Sequence, residues 1–215
     1  MIKEVLRFVA VMGVCLTMSG CLTSINTVGP DMKPFAVDPA EKQEADGEAY
    51  CIRSIVDTRE FKKSSIDYRD PTWIADEKRK PLAIARQRNG FGGAMGAIVL
   101  PEDLPPAEVV RKVLTKALVE TGHQVVQDEK EARPGTKMLD VDIARFWMWC
   151  EMRFMHCYVA GDIETDISVD GGFPMTVTGH YSRNAGGVAD RHWRRILNDM
   201  VEDYYKQLVR KFKRR

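Results

Sequence analysis

The chain has 215 residues, with 32 Lys and Arg against 31 Asp and Glu, a balance that excludes a nucleic-acid binder driven by bulk positive charge. Hydrophobic residues make up 44% and charged residues 29%, which excludes both intrinsic disorder and a multi-pass membrane protein. One folded domain is expected.

The first twenty residues read as an address. Lys3 and Arg7 precede an apolar run from Phe8 to Met18, too short for a spanning helix of about 20 residues but suited to the core of a signal peptide. The run ends in Leu16-Thr17-Met18-Ser19-Gly20-Cys21, which resembles the bacterial lipobox, in which the cysteine receives lipid. The alternatives are a plain secretory signal cleaved near Gly20 and an uncleaved N-terminal anchor. Acyl chains on Cys21 would hold a soluble domain on a bilayer, since each buried methylene contributes about 0.8 kcal/mol. Position 22 is Leu rather than Asp, and by resemblance to Gram-negative lipoproteins this implies the periplasmic face of the outer membrane. Cleavage would remove Lys3, Arg7 and Glu4, leaving 30 residues of each sign.

From Leu22 to Glu48 the chain is rich in Pro, Asp, Glu and Thr with no periodicity, which predicts a flexible tether of about 30 Å mean span. The expected organisation is therefore a signal peptide over 1–20, the lipidated cysteine and tether over 21–49, and a single periplasmic domain over 50–215. Tyr50–Val56 predicts a first strand closing at Asp57. Glu60–Arg79 is charged and unpatterned, and Pro81–Arg88 and Ala97–Leu100 are extended around a glycine-rich turn. That turn lacks the Gly-Lys-Ser/Thr of a phosphate loop. Pro105 and Pro106 begin a helix whose apolar stripe, Val109 to Leu118, stops at Gly122.

His123–Gln127 predicts a short strand, and Met138–Cys150, Val159–Val169 and Met175–Tyr181 predict three consecutive strands of an antiparallel meander. A final helix spans Val188–Lys213, with Trp193, Ile196, Met200, Tyr204 and Leu208 on one stripe. The expected fold class is α+β, an antiparallel meander sheet with two helices packed on one face.

This layout resembles the YajG-like family of bacterial lipoproteins. The residues that carry the likeness are Cys21, Asp57 with Arg59, the Asn89-Gly90-Phe91-Gly92 turn, the helix from Val109 to Gly122, and the Leu139, Val141, Ile143 strand entering Phe146. The charged insert Glu60–Arg79 and the Trp- and Met-rich hairpin depart from that pattern. The resemblance implies a non-enzymatic envelope lipoprotein.

Chemistry-bearing groups are sparse. Asp140 with Asp142, and Asp162, Glu164 and Asp166, share strand faces, which reads as a solvated sheet face or as the carboxylates of a cell-wall polymer hydrolase. The four histidines and the serines form no triad pattern. Metal binding by Cys150, Cys157 and His156 lacks the short ligand spacing of structural zinc sites. No metal or cofactor is expected. Of the cysteines left after processing, Cys150 and Cys157 are expected to form a hairpin disulfide, facing each other with Met148 opposite Val159, which leaves Cys51 as the unpaired thiol.

The strand from Met138 must break its alternation near Arg145 to place Phe146 and Met148 with Ile143, a β-bulge that turns Trp147 and Trp149 to the outer face. With Tyr158 opposite Trp149, three aromatics would line a docking surface for an envelope protein or a second copy, unless the Glu60–Arg88 segment or the tether folds over them. The Lys206–Arg215 stretch, with six basic residues and no acid, either complements the helix end or contacts anionic lipid. The functional expectation is a lipid-anchored accessory in envelope assembly or maintenance that acts by binding. The alternatives are a peptidoglycan hydrolase and a periplasmic lipid carrier.

Overall fold

The computed structural model describes residues 24–38, 47–73, 77–88, 93–153, 156–185 and 189–213. Cys21 and the signal peptide lie outside the described residues. Eight strands form one sheet: β1 (Ser24–Thr27), β2 (Ala49–Asp57), β3 (Ala83–Arg88), β4 (Ala94–Val99), β5 (Gln124–Val126), β6 (Lys137–Arg153), β7 (His156–Val169) and β8 (Met175–Ala185). Two helices, α1 (Pro106–Glu120) and α2 (Asp190–Phe212), complete it.

The spine is β6, 17 residues long. Along one edge it pairs antiparallel with β7, which pairs with β8, so the predicted meander is present. Along the other edge it changes neighbour: Leu139–Ile143 lie beside β2 and Met148 lies beside Ala85 of β3, both parallel. The sheet is therefore mixed rather than antiparallel throughout. Short connections make the β3–β4 hairpin and the meander antiparallel, while β2 and β3 are successive collinear strands on one edge of β6. The chain leaves the sheet after Asp57 and returns to it at Ala83. Parallel pairs of β1 with β4 and of β5 with β2 extend the two arms.

The helices cover one face. Leu139, Val141, Ile143, Phe146 and Met148 meet Val110, Leu114, Ile196, Met200 and Leu208 there in a core with no exposure above a few per cent. Strand β6 keeps facing the helices past Ile143 only because its register against β7 shifts between Ile143 and Arg145, the bulge predicted from the sequence. Helix α1 starts on Pro106 and stops at Gly122, whose φ of +82° is the left-handed conformation glycine adopts without steric cost. Helix α2 lies directly on β8, with Tyr204 Oη hydrogen-bonded to Thr165 Oγ1 at 2.8 Å in a fully buried setting.

Residues 24–38 of the expected tether are part of the fold. β1 adds to the sheet edge at β4, Val28 is 2% exposed, and Phe35 packs edge-on to Tyr205 of α2. The proline spacing concealed this, because the segment's few apolar residues are each placed by a different neighbour and show no period.

Candidate functional site

The point where β6 exchanges β2 for β3 is held by Arg59. Its side chain is fully buried and uses all five N–H groups. Nε and Nη2 bind Asp57 as a fork at 2.7 Å each, Nη2 also donates to Pro81 O at 2.7 Å, and Nη1 donates to Ala83 O at 2.7 Å and Phe146 O at 3.0 Å. The guanidinium carbon lies 5.2 Å from the Phe61 ring centre. One cation thus ties the end of β2, the start of β3 and the β6 bulge together, and fixes both feet of the 58–82 excursion.

That excursion covers the outer face of the sheet. Trp73, with Phe61, Tyr68 and Leu82, packs on Trp147, Trp149, Ala97, Val99 and Ala160 as a second apolar cluster. Trp147 is 1% exposed and Trp149 5%, and Phe61 meets Trp147 edge-on at 6.0 Å. The expected docking patch of Trp147, Trp149 and Tyr158 is therefore not an open surface. The charged insert folds over it, since two indoles facing water would leave a large apolar area exposed. Tyr158 is half-buried and lies opposite Glu151 and Asn184, and Trp149 lies opposite Ala160. Both indole N–H groups are buried without a hydrogen-bond partner among the described residues.

The register also corrects the cysteine geometry. Only residues 154 and 155 separate β6 from β7, so Cys150 pairs in register with Val159 and Cys157 with Met152, instead of Cys150 with Cys157. The two cysteines are diagonal neighbours whose thiols hydrogen-bond, and no disulfide joins them among the described residues. Burial, with the Cys157 sulfur beside it, pushes the Cys150 thiol up to about 12. Cys51 is buried in β2 and its thiol is pushed up by burial too.

Two of the acidic residues on the sheet, Asp140 and Asp162, are engaged by bases. Arg53 binds Asp140 in a fork and holds its carboxyl below the usual range, with help from Ser54 Oγ at 2.7 Å. Asp162 lies between His180 Nδ1 at 2.6 Å and Arg145 at 3.6 Å, and the His180 ring centre lies 6.5 Å from that of Trp149. Asp166 accepts from Thr176 at 2.6 Å. A general acid needs a raised carboxyl pKa, and the Asp140 shift runs the other way. Among the described residues no cluster of three metal-ligating side chains occurs.

The strand directions sort the remaining features into two ends. Ser24 pairs with Gly96, which pairs with Gln87, and β6 runs parallel to β3, so Arg88, Arg153, His156 and Ala185 all reach the Ser24 end. Helix α2 starts there too, where Asn26 Nδ2 donates to Asp190 at 3.1 Å. Its 23 residues carry Arg210 and Lys211, with Lys213 just past its end, about 35 Å away, where His123 Nε2 lies 2.9 Å from Phe212 O. The opposite end also holds the exposed Phe173 and an open groove of about 800 Å³ beside β5, lined by Gln124–Gln127 and Arg133–Thr136.

No family model matches the chain, and no curated protein matches it in sequence, so the YajG-like resemblance rests on the motifs quoted above. Solved structures similar to parts of it include a minor lipoprotein from Acinetobacter baumannii, at 14% identity over 53% of this chain and 87% of that one, with a TM-score of 0.38. A Xanthomonas campestris protein of the DUF330 family matches at 11% identity over 89% of this chain and 93% of that one, with a TM-score of 0.40. A putative neuraminyllactose-binding hemagglutinin homologue from Helicobacter pylori matches at 12% identity over 82% and 89%, with a TM-score of 0.39.

Proposed function

We propose that this chain is a lipid-anchored envelope lipoprotein of a Gram-negative bacterium that acts by binding and not by catalysis, held through acylated Cys21 on the periplasmic face of the outer membrane. The observation that carries the reading is the lipobox-like run ending at Cys21, followed within three residues by a strand built into the domain edge. No helix among the described residues is long and apolar enough to cross a membrane. The binding role is supported by carboxylates engaged with arginines and by the open groove beside β5, which lies at the end of the sheet far from Ser24. A partner or second copy is met on that side rather than at Trp147 and Trp149.

The test is cell fractionation of the full chain and of Cys21→Ser, with the N-terminal peptide weighed by mass spectrometry. The expected result is an acyl mass on Cys21 and loss of membrane retention in the variant. A processed chain without acyl mass that still sediments with membranes would overturn anchoring. Purified full-length protein that turns over peptidoglycan would overturn the binding role.

A further inference from the structure

Resting on the reading that Cys21 is acylated, we propose that the Ser24 end of the sheet lies flat on the anionic head-group layer of the membrane that holds the lipid, so that the domain has a fixed orientation. The chain length alone demands proximity. Three residue steps separate Cys21 from Ser24, at most about 11 Å, and Ser24 is the first paired residue of β1. A tether of 27 residues would let the domain tumble; a strand starting three residues from the anchor does not.

The end brought down by this strap fits the surface it meets. Among the described residues, Arg69, Arg88, Arg153, Arg183 and Arg191 lie at or near it with the carboxylates Asp67, Asp70, Glu151 and Asp190. Arg88 lies over the Tyr68 ring and 3.5 Å from Ser65 O, Asp67 is bound by Arg69 and Asp70 by Lys62. Glu151 is already paired with Arg153 at 3.3 Å, and Asp190 accepts from Asn26. Each arginine near an anionic surface is worth about five-fold in partitioning, falling off within a Debye length. Met95, 55% exposed on β4 one residue from Gly96, adds an apolar contact at the same level.

The same geometry removes the C-terminal basic stretch from this membrane. Arg210, Lys211 and Lys213 stand about 35 Å above it, at the far end of α2. Phe173, in the turn after β7, stands about 45 Å away along the 14 residues of that strand.

The experiment uses the full lipidated chain in vesicles of phosphatidylethanolamine and phosphatidylglycerol containing a head-group spin-labelled lipid. A fluorophore is placed through Met95→Cys or through Phe173→Cys. Strong quenching at position 95 and little at 173 is expected. Arg88→Glu with Arg153→Glu should cut quenching at 95 several-fold while leaving the protein in the membrane fraction. A side chain at Gly96 would overlap the Ser24 carbonyl oxygen, so Gly96→Val, which unseats β1, should do the same with the arginines intact. Equal quenching at the two positions, or no effect of the charge reversal, with acyl mass present on Cys21, overturns this proposal alone. Absence of acyl mass overturns the anchoring reading and this one with it.

Discussion

Arg59 Nη1 donates to the carbonyl oxygen of Phe146 at 3.0 Å, just past the bulge where β6 leaves one neighbour for the next. A carbonyl at a bulge has lost its ladder partner, and the buried guanidinium supplies one. Arg59→Met removes five hydrogen bonds and leaves Asp57 without its fork, so a loss of about 3–5 kcal/mol is expected in urea unfolding. Arg59→Lys keeps the charge but not the planar set of donors and should recover less than half of it. Both variants should shift tryptophan emission to the red, because the excursion over Trp147 and Trp149 loses its feet.

The tryptophans themselves should behave as core. Trp147→Ala is expected to cost about 3–5 kcal/mol. Trp147→Phe should cost much less, since the indole N–H makes no hydrogen bond that the change would break. Equal losses for the two substitutions would show that the N–H has a partner.

At Gly179 a Cβ would overlap the Cα and backbone nitrogen of Tyr204, so α2 packs backbone to backbone on β8. Gly179→Ala must push α2 off the sheet. A loss of about 1–3 kcal/mol is expected by thermal unfolding, at a position where alanine would otherwise favour a strand.

Cys150 and Tyr50 supply a pH dependence in the reduced protein. Cys150 is raised from 9.0 to about 12 and Tyr50 from 10.0 to about 12, Tyr50 chiefly by burial and then by its hydrogen bond to Glu48. Between those values the folded chain keeps protons the unfolded chain has released, so stability is complete below pH 9 and falls as pH rises toward 12. Urea midpoints at pH 7.5, 9.5 and 10.5 should decline in that order, and Cys150→Ser should flatten the first step.

In an oxidising compartment the same two sulfurs are the pair expected to join. Their diagonal placement asks the two strands to shift slightly, because directly bridged cysteines have closer Cβ atoms than diagonal neighbours. Thiol labelling of the unfolded, unreduced chain should find Cys51 alone. Three labelled cysteines would exclude the bridge.

Periodic elements were readable from the residues: the stripe of α1, the alternation of β7 and the parity break near Arg145 all express contacts with a single face. The partners of β6 were not readable, because an apolar strand looks the same whether its neighbour runs parallel or antiparallel. Glu60–Arg79 carried no pattern although it covers Trp147, since Phe61, Tyr68 and Trp73 are spaced by the path of an irregular loop. β1 was hidden for a similar reason, its four residues being fixed by β4 far later in the chain.

That late pairing gives β1 a mechanical meaning. With β1 undocked and Val28 and Phe35 released from the core after it, the first strand that can hold the chain is β2 at Ala49, and an acylated Cys21 is joined to the domain by slack of about 30 Å. Seating β1 against β4 shortens the link to about 11 Å. The pairing is a parallel strand of four residues at a sheet edge, so it opens at low cost. One short strand therefore works as a take-up reel between the lipid and the domain, and anything that must lift the acyl chains away from the bilayer gains reach by peeling it first.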